Sequence, residues 1–151
     1  MKRDHEYWMR IALQEAEQAL LEDEIPVGAV LVKDNELVFA EHNRTRQLQD
    51  PLAHAEKLII DKILTSKIKY LYDYSLYVTL EPCTMCAGMM IWSRIGTVVY
   101  GAKDPKGGAA GSIYNVLRDK SFNHQPILLR GLLEEQCALL LQSFFREKRK
   151  R

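Results

Sequence analysis

Two short clusters combine residue types able to do chemistry: Cys83-Thr84-Met85-Cys86 and His54-Ala55-Glu56. Cysteines three apart at a helix start face the same way, and the helix's positive end favours their thiolates. Such a pair serves dithiol redox or zinc ligation, or is simply two small buried hydrophobes. His54 and Glu56 are two apart, about 200° around a helix, so they share a centre only if it lies beyond the helix's N-terminal end. A lone histidine there is more often a cap, and a first-turn glutamate more often a solvated acid complementing the helix dipole. Together, His54, Cys83 and Cys86 make three ligands with no obvious fourth. Closed structural zinc sites take four, whereas a catalytic zinc leaves one position to water and lowers that water's pKa from about 15.7 toward 7. A carboxylate close by that is not a ligand then carries the proton, a part open to Glu56. Cys137 is the candidate fourth ligand, but Leu133, Cys137, Leu140, Leu141 and Phe144 repeat at helical spacing, which reads as core. His5, His42 and His124 are expected to have no ligand-like neighbours.

The elements that must position these residues follow from patterning. Tyr7, Trp8, Ile11, Ala12, Ala16, Ala19 and Leu20 predict an amphipathic helix capped by Asp4. Pro26 to Val32, a turn at Lys33 to Glu36, and Leu37 to Ala40 predict a hairpin. Asp50-Pro51 supplies an N-cap and a first-turn proline for a helix through Leu58, Ile59 and Ile63. Ser75 to Leu80 reads as a strand ending at Glu81-Pro82, and Cys83 to Arg94 as a helix that the CxxC opens. Thr97 to Gly101 is a strand, Asp104 to Ser112 a glycine-rich loop, Ile127 to Leu129 a short strand, and Leu132 to Lys148 a long helix. The expected order is α-β-β-α-β-α-β-α-β-α, a three-layer α/β/α arrangement on a mixed central sheet of about five strands.

The chain has 151 residues, 47% hydrophobic and 27% charged, which suits one globular domain over 1–151 and excludes collagen, coiled coil and disorder. A chain of this size buries about 69% of its surface on folding, so it needs no staples. The net charge is +1, but residues 146–151 hold five bases and one acid, leaving −3 for residues 1–145. The concentrated positive charge is therefore a basic C-terminal tail at 146–151. Three cysteines are too few for a disulfide framework, and no signal-like or membrane-spanning apolar run is present, so a reducing cytoplasm is expected and no membrane. The glycine-rich loop lacks the GxxxxGK[ST] pattern, and no nucleotide cofactor is expected.

His54-Ala55-Glu56 followed by Pro82-Cys83-Thr84-Met85-Cys86-Ala87-Gly88 resembles the H-x-E and P-C-x-x-C signature of the zinc-dependent nucleobase deaminases. Glu24 to Ala29, Asn43-Arg44, Asp104 to Ser112, Asn123-His124 and Gly131 to Arg149 extend the likeness, over nearly the whole chain, to the family's bacterial tRNA adenosine deaminase branch. Leu52, Lys57 and Trp92 depart from that branch without touching the metal set.

The resemblance implies a cytidine deaminase-like fold, one zinc per chain on His54, Cys83 and Cys86, and hydrolytic deamination of adenosine to inosine at wobble position 34 of tRNA. Glu56 takes a proton from the activated water, passes it to N1 of adenine and later protonates the exocyclic nitrogen as ammonia leaves. Asn43, with a donor and an acceptor suited to a base edge, gains that role from the resemblance, and Val27 and Ala55 line the base. Asp104, Lys106 and Ser112 become contacts to the anticodon loop, and a homodimer is implied. Phe145 beside the basic residues, Arg149 among them, is placed to stack on a flipped base, whereas Phe144 reads as core. The alternative within the chemistry is a guanine or cytosine deaminase, which needs neither the basic end nor the 104–112 loop. A dithiol redox protein leaves His54 and Glu56 without a shared task, and a structural zinc module needs a fourth ligand.

Overall fold

The structure is a computed structural model that describes residues 3–149. Helix α1 (His5–Leu21) is capped by Asp4, whose carboxylate accepts from the Tyr7 amide at 2.8 Å. Strands β1 (Gly28–Lys33) and β2 (Glu36–His42) form the expected hairpin. Asp34 and Asn35 both take left-handed backbone at its tip, the geometry that matches a two-residue turn to strand twist. Then come α2 (Ala55–Leu64), β3 (Tyr74–Leu80), α3 (Thr84–Trp92), β4 (Thr97–Ala102), β5 (Ile127–Leu129) and α4 (Glu134–Arg149).

The sheet order is β2-β1-β3-β4-β5. β1 is antiparallel to both of its neighbours, Gly28 opposite His42 on one side and Ala29 opposite Val78 on the other. β3, β4 and β5 are parallel, with Leu76, Val98 and Leu128 in register. β2 and β3 consequently run the same way, and their C-terminal ends share one edge of the sheet.

Alternation along each strand divides the core in two. Val30, Val32, Tyr77 and Val99 pack against Trp8, Met9, Ala12 and Leu13 of α1 and Cys137 of α4. Leu31, Leu76, Val78, Val98 and Tyr100 face Ile59, Ile63, Ala87 and Met90 of α2 and α3. The three-layer α/β/α expectation holds, with Cys137 and Phe144 in the core as their spacing predicts. Among the described residues no helix is long and apolar enough to cross a membrane.

Two expectations do not hold. The helix expected to start at Asp50-Pro51 starts at Ala55, because the Asp50 carboxylate accepts from the Leu52 amide at 2.9 Å and its carbonyl from the Ala53 amide at 3.1 Å. Asp50 thus closes a turn, for which proline at the second position is equally suited. The helix expected between the fourth and fifth strands is a single 3-10 turn at Val116–Arg118, and the crossover is otherwise loop. The tail also differs in part: residues 146–149 are the last turn of α4, while Lys150 and Arg151 lie outside the described residues.

Gly28 lets α1 lie on the sheet, since a Cβ there would strike the Ala12 carbonyl oxygen and lie within 2.6 Å of the Ala16 nitrogen. Both are backbone atoms that cannot rotate away. Gly28→Ala is expected to cost about 3 kcal/mol in urea unfolding, as overpacking against immobile atoms does. A loss under about 0.5 kcal/mol would show that α1 can shift freely.

Candidate active site

β2 and β3 finish at one edge, and the chain leaving each turns back into a helix, so the N-termini of α2 and α3 open toward the same point. His54 and Cys83 are the N-cap residues, both with extended backbone and neither using its side chain as a cap. Their side chains project beyond the helix ends instead. Cys86, one turn into α3, faces the same way. The His54 Nδ1 atom lies 3.6 Å from Cys83 Sγ and 3.6 Å from Cys86 Sγ. A tetrahedral zinc with about 2.05 Å to nitrogen and about 2.3 Å to sulfur requires an N to S separation of about 3.6 Å. The donor set and its spacing therefore fit zinc.

The electrostatics suit a cation there. The Cys83 thiol is drawn down to about 4, first by its hydrogen bond with Cys86 and then, against burial, by His54. Cys86 is pushed up by that same bond and by burial, so the pair retains one proton. His54 is raised chiefly by its hydrogen bond to Cys83. A divalent ion held by these residues would take the place of the shared protons, with two thiolates and a neutral imidazole as its ligands. Glu56, in the first turn of α2, is buried, and burial pushes its carboxyl up to about 7, against its own backbone amide and the nearby His54. A carboxyl in that range can both accept and return a proton near neutrality.

Of these groups, His54, Glu56 and Cys83 line a cavity of about 170 Å³. Val27, Asn43 and Ala55 line it, as expected from the sequence, and Asp104 stands at its rim. Asn43 is buried just beyond β2; its amide donates to the Val27 carbonyl at 3.0 Å and its side-chain nitrogen to Thr45 Oγ1 at 3.2 Å. Ile25, Leu80 and Asp104 are shared with a larger groove of about 860 Å³, which Lys106, Phe145 and Arg149 also line. Phe144 is buried and Phe145 is 44% exposed, so the two aromatics divide between core and groove. Ser112 lines neither space. Its hydroxyl and amide both bond the Glu81 carboxylate.

Glu81 is a site residue that sequence reasoning passed over. Its carboxylate, 2% exposed, accepts from the amides of Asp104, Ala110 and Ser112 at 3.0 Å each and from the Ser112 hydroxyl. Burial works against its charge, but these donors hold it below the usual carboxylate range. A Cβ on Gly108 would strike that carboxyl, which explains glycine there. Glu24, fully buried, plays the matching part for the loop after β2, accepting from the amides of Arg46 and Gln47 at 3.0 and 2.8 Å. The available signal was an acid before proline at a strand boundary in both Glu81-Pro82 and Glu24-Ile25-Pro26.

The expectation that His42 lacks ligand-like neighbours is also wrong. Its ring nitrogens meet Glu15 at 2.8 Å and Glu22 at 2.9 Å, carboxylates brought from α1 by the fold. Glu15 and Glu41, with His42, form a second cluster of potential ligands. Arg44 and Lys62 already neutralise Glu41, so this cluster reads as an ion-pair network joining β2 to α1 and α2. Leu52 is exposed in the turn before α2, Lys57 pairs with Asp61 on the helix surface, and Trp92 is 83% exposed at the end of α3.

Two helix ends presenting histidine and paired cysteines, with a buried glutamate beside them, are the hallmark of a zinc-binding deaminase centre. The chain belongs to the cytidine and deoxycytidylate deaminase family, matching its zinc-binding region over residues 2–102. Among curated relatives it is 46% identical over 147 residues to the tRNA-specific adenosine deaminase of Bacillus subtilis, covering 97% of this chain and 91% of that one. The tRNA-specific adenosine deaminase of Agrobacterium fabrum is 44% identical, with 95% of each chain covered. A structure from a study of A-to-I editing by tRNA:A34 deaminases superposes with a TM-score of 0.84 at 43% identity, over 89% of this chain and 99% of that one. A guanine deaminase from Nitrosomonas europaea shares the fold, with a TM-score of 0.80 at 21% identity, covering 93% of this chain and 84% of that one.

Glu81→Gln puts an amide where four donors need an acceptor. It is expected to destabilise the protein by roughly 3 kcal/mol at pH 7. Because the folded-state carboxyl is held low, the ionised group's contribution is present above the unfolded value of about 4.3 and lost as pH falls through the folded one. The gap between variant and parent in urea unfolding should therefore persist at pH 6 and shrink below about pH 4; a gap constant with pH would mean that the charge is not what holds the loop.

Proposed function

We propose that this chain is a zinc-dependent tRNA adenosine deaminase that converts adenosine at wobble position 34 to inosine, with release of ammonia. The carrying observation is that a pocket sized for one base, lined by His54, Cys83 and Glu56 with Cys86 buried beside them, shares Ile25, Leu80 and Asp104 with a groove that exposed cations and Phe145 also line. The curated relatives described above are tRNA-specific adenosine deaminases by name, and the superposed structure comes from work on A-to-I editing at the tRNA wobble position.

In this reading His54, Cys83 and Cys86 hold one zinc per chain. A zinc ion so bound supplies a Lewis acid that lowers the pKa of water to about 7. The chain's own groups do the rest. Glu56 accepts the water's proton and delivers one to N1 of adenine, which makes C6 electrophilic, and then protonates the departing amine. Asn43 orients the base through its amide, while Val27 and Ala55 form an apolar wall that excludes water. Asp104, Lys106, Phe145 and Arg149 meet the anticodon loop, whose target base leaves its stack at lower cost than in a duplex. Ser112 contributes chiefly by holding the loop on Glu81.

The protein acts in the cytoplasm, as one domain over 1–151 and as a homodimer. The apolar α3, with Trp92 83% exposed, is the face that supports pairing. A guanine or cytosine deaminase reading uses the same centre but leaves the groove without a task.

Elemental analysis is expected to find one zinc per chain, lost in Cys86→Ala but retained in Glu56→Gln, which should nevertheless lose at least about 10²-fold in turnover. Zinc loss in Glu56→Gln would make Glu56 a ligand and overturn the mechanism. For the substrate, kcat/KM on an anticodon hairpin with adenosine at position 34 should far exceed that on free adenosine, cytidine or guanine, with part of the deficit in kcat because remote contacts position the reacting atom. Equal values, or faster guanine deamination, would leave the zinc chemistry and remove the RNA assignment.

A further inference from the structure

Asp23 follows α1 in left-handed backbone, at φ 61°, where the chain turns toward the pocket. Its carboxylate bridges cations from two distant segments. Oδ1 lies 2.8 Å from Lys148 Nζ on the last turn of α4, and Oδ2 lies 3.1 Å from Arg46 Nη1 in the loop after β2. Both residues have a further contact that does not use the Asp23 carboxylate. The Arg46 guanidinium also donates to the Asp23 carbonyl at 3.0 Å, and its amide is fixed by the buried Glu24. The Lys148 ammonium sits over the Phe144 ring, 5.3 Å from its centroid.

Fold stability is a poor reason for this arrangement. The Asp23 and Arg46 side chains are about half exposed, and exposed ion pairs contribute at most about 1 kcal/mol. Position is more informative. Lys148 lines the groove that runs to the pocket, alongside Lys106, Arg146 and Arg149. A planar guanidinium and an ammonium held about one oxyanion provide what a phosphodiester needs. A carboxylate with the same single charge stands at that position.

We infer that Arg46 and Lys148 form a binding site for a backbone phosphate of the RNA, occupied in the free protein by Asp23 as an internal counter-ion. This rests on the RNA reading of the groove. A strand with its base in the pocket brings a phosphate to displace Asp23, while a polyanion lying loosely on the groove must compete with that carboxylate. Asp23 thereby trades affinity for discrimination between seated and unseated RNA.

The test is Asp23→Asn, which removes the charge, keeps the size and tolerates left-handed backbone. Binding of an anticodon hairpin to the full chain is measured as a function of salt, with circular dichroism reporting the fold. The variant should bind about threefold to tenfold tighter at low salt, and log K should fall more steeply with log salt, by about 0.7 for each phosphate newly contacted. Adding Arg46→Gln or Lys148→Gln should cancel the gain. Unchanged or weaker binding by folded Asp23→Asn, when the parent binds, overturns the site and leaves the RNA reading intact. A gain that survives loss of both cations also overturns it. If parent and variant alike fail to bind the hairpin, the site and the RNA reading fall together.

Discussion

The direction of β1 is the constraint on which the rest depends. Because it is antiparallel to both neighbours, β2 and β3 run the same way and end together, and the helices that follow start at one place. Reversing either pairing would put His54 and Cys83 at opposite edges of the sheet. That direction is secured by the two-residue hairpin at Asp34-Asn35 on one side and by the β1–β3 ladder on the other. Gly28 adds the close seat of α1, without which β1 would be covered on one face only.

Around that edge, helix termini and buried carboxylates divide the electrostatic work. The two N-termini favour negative charge at the thiols and at any oxyanion formed between them. Glu56 lies among the same residues yet is pushed up by burial, so charge concentrates on sulfur and the carboxyl remains able to exchange a proton. Glu81 and Glu24 convert buried charge into loop shape by gathering backbone amides. A rigid pocket thus results from segments with little regular structure.

Much of this was legible in the sequence because the signals are local. Short apolar runs mark β1, β3 and β4; an aspartate caps α1; and the His-x-Glu and Cys-x-x-Cys spacings, each ambiguous alone, together match the deaminase signature. The start of α2 was misread because Asp-Pro suits a helix start and a turn equally, and the choice depends on where Thr45 and Ala53 find partners. Glu81 and His42 were missed for a related reason. Their partners lie 23 to 31 residues away for Glu81 and 20 to 27 for His42, so the acid before proline marks Glu81 only as a strand-boundary residue and no local pattern marks His42. Helical spacing alone reads both Phe144 and Phe145 as core; the fold buries the first and leaves the second exposed in the groove.

The way Glu81 holds the 104–112 loop bears on how readily this enzyme could change what it accepts. Three of its four bonds go to main-chain nitrogens, which any residue except proline supplies. Shape is therefore largely uncoupled from side-chain identity at Lys106 and Gly107, with Gly108 the position barred by contact with the carboxyl. Natural drift or a library built in the laboratory can rewrite the rim that meets the substrate while the frame beneath it persists.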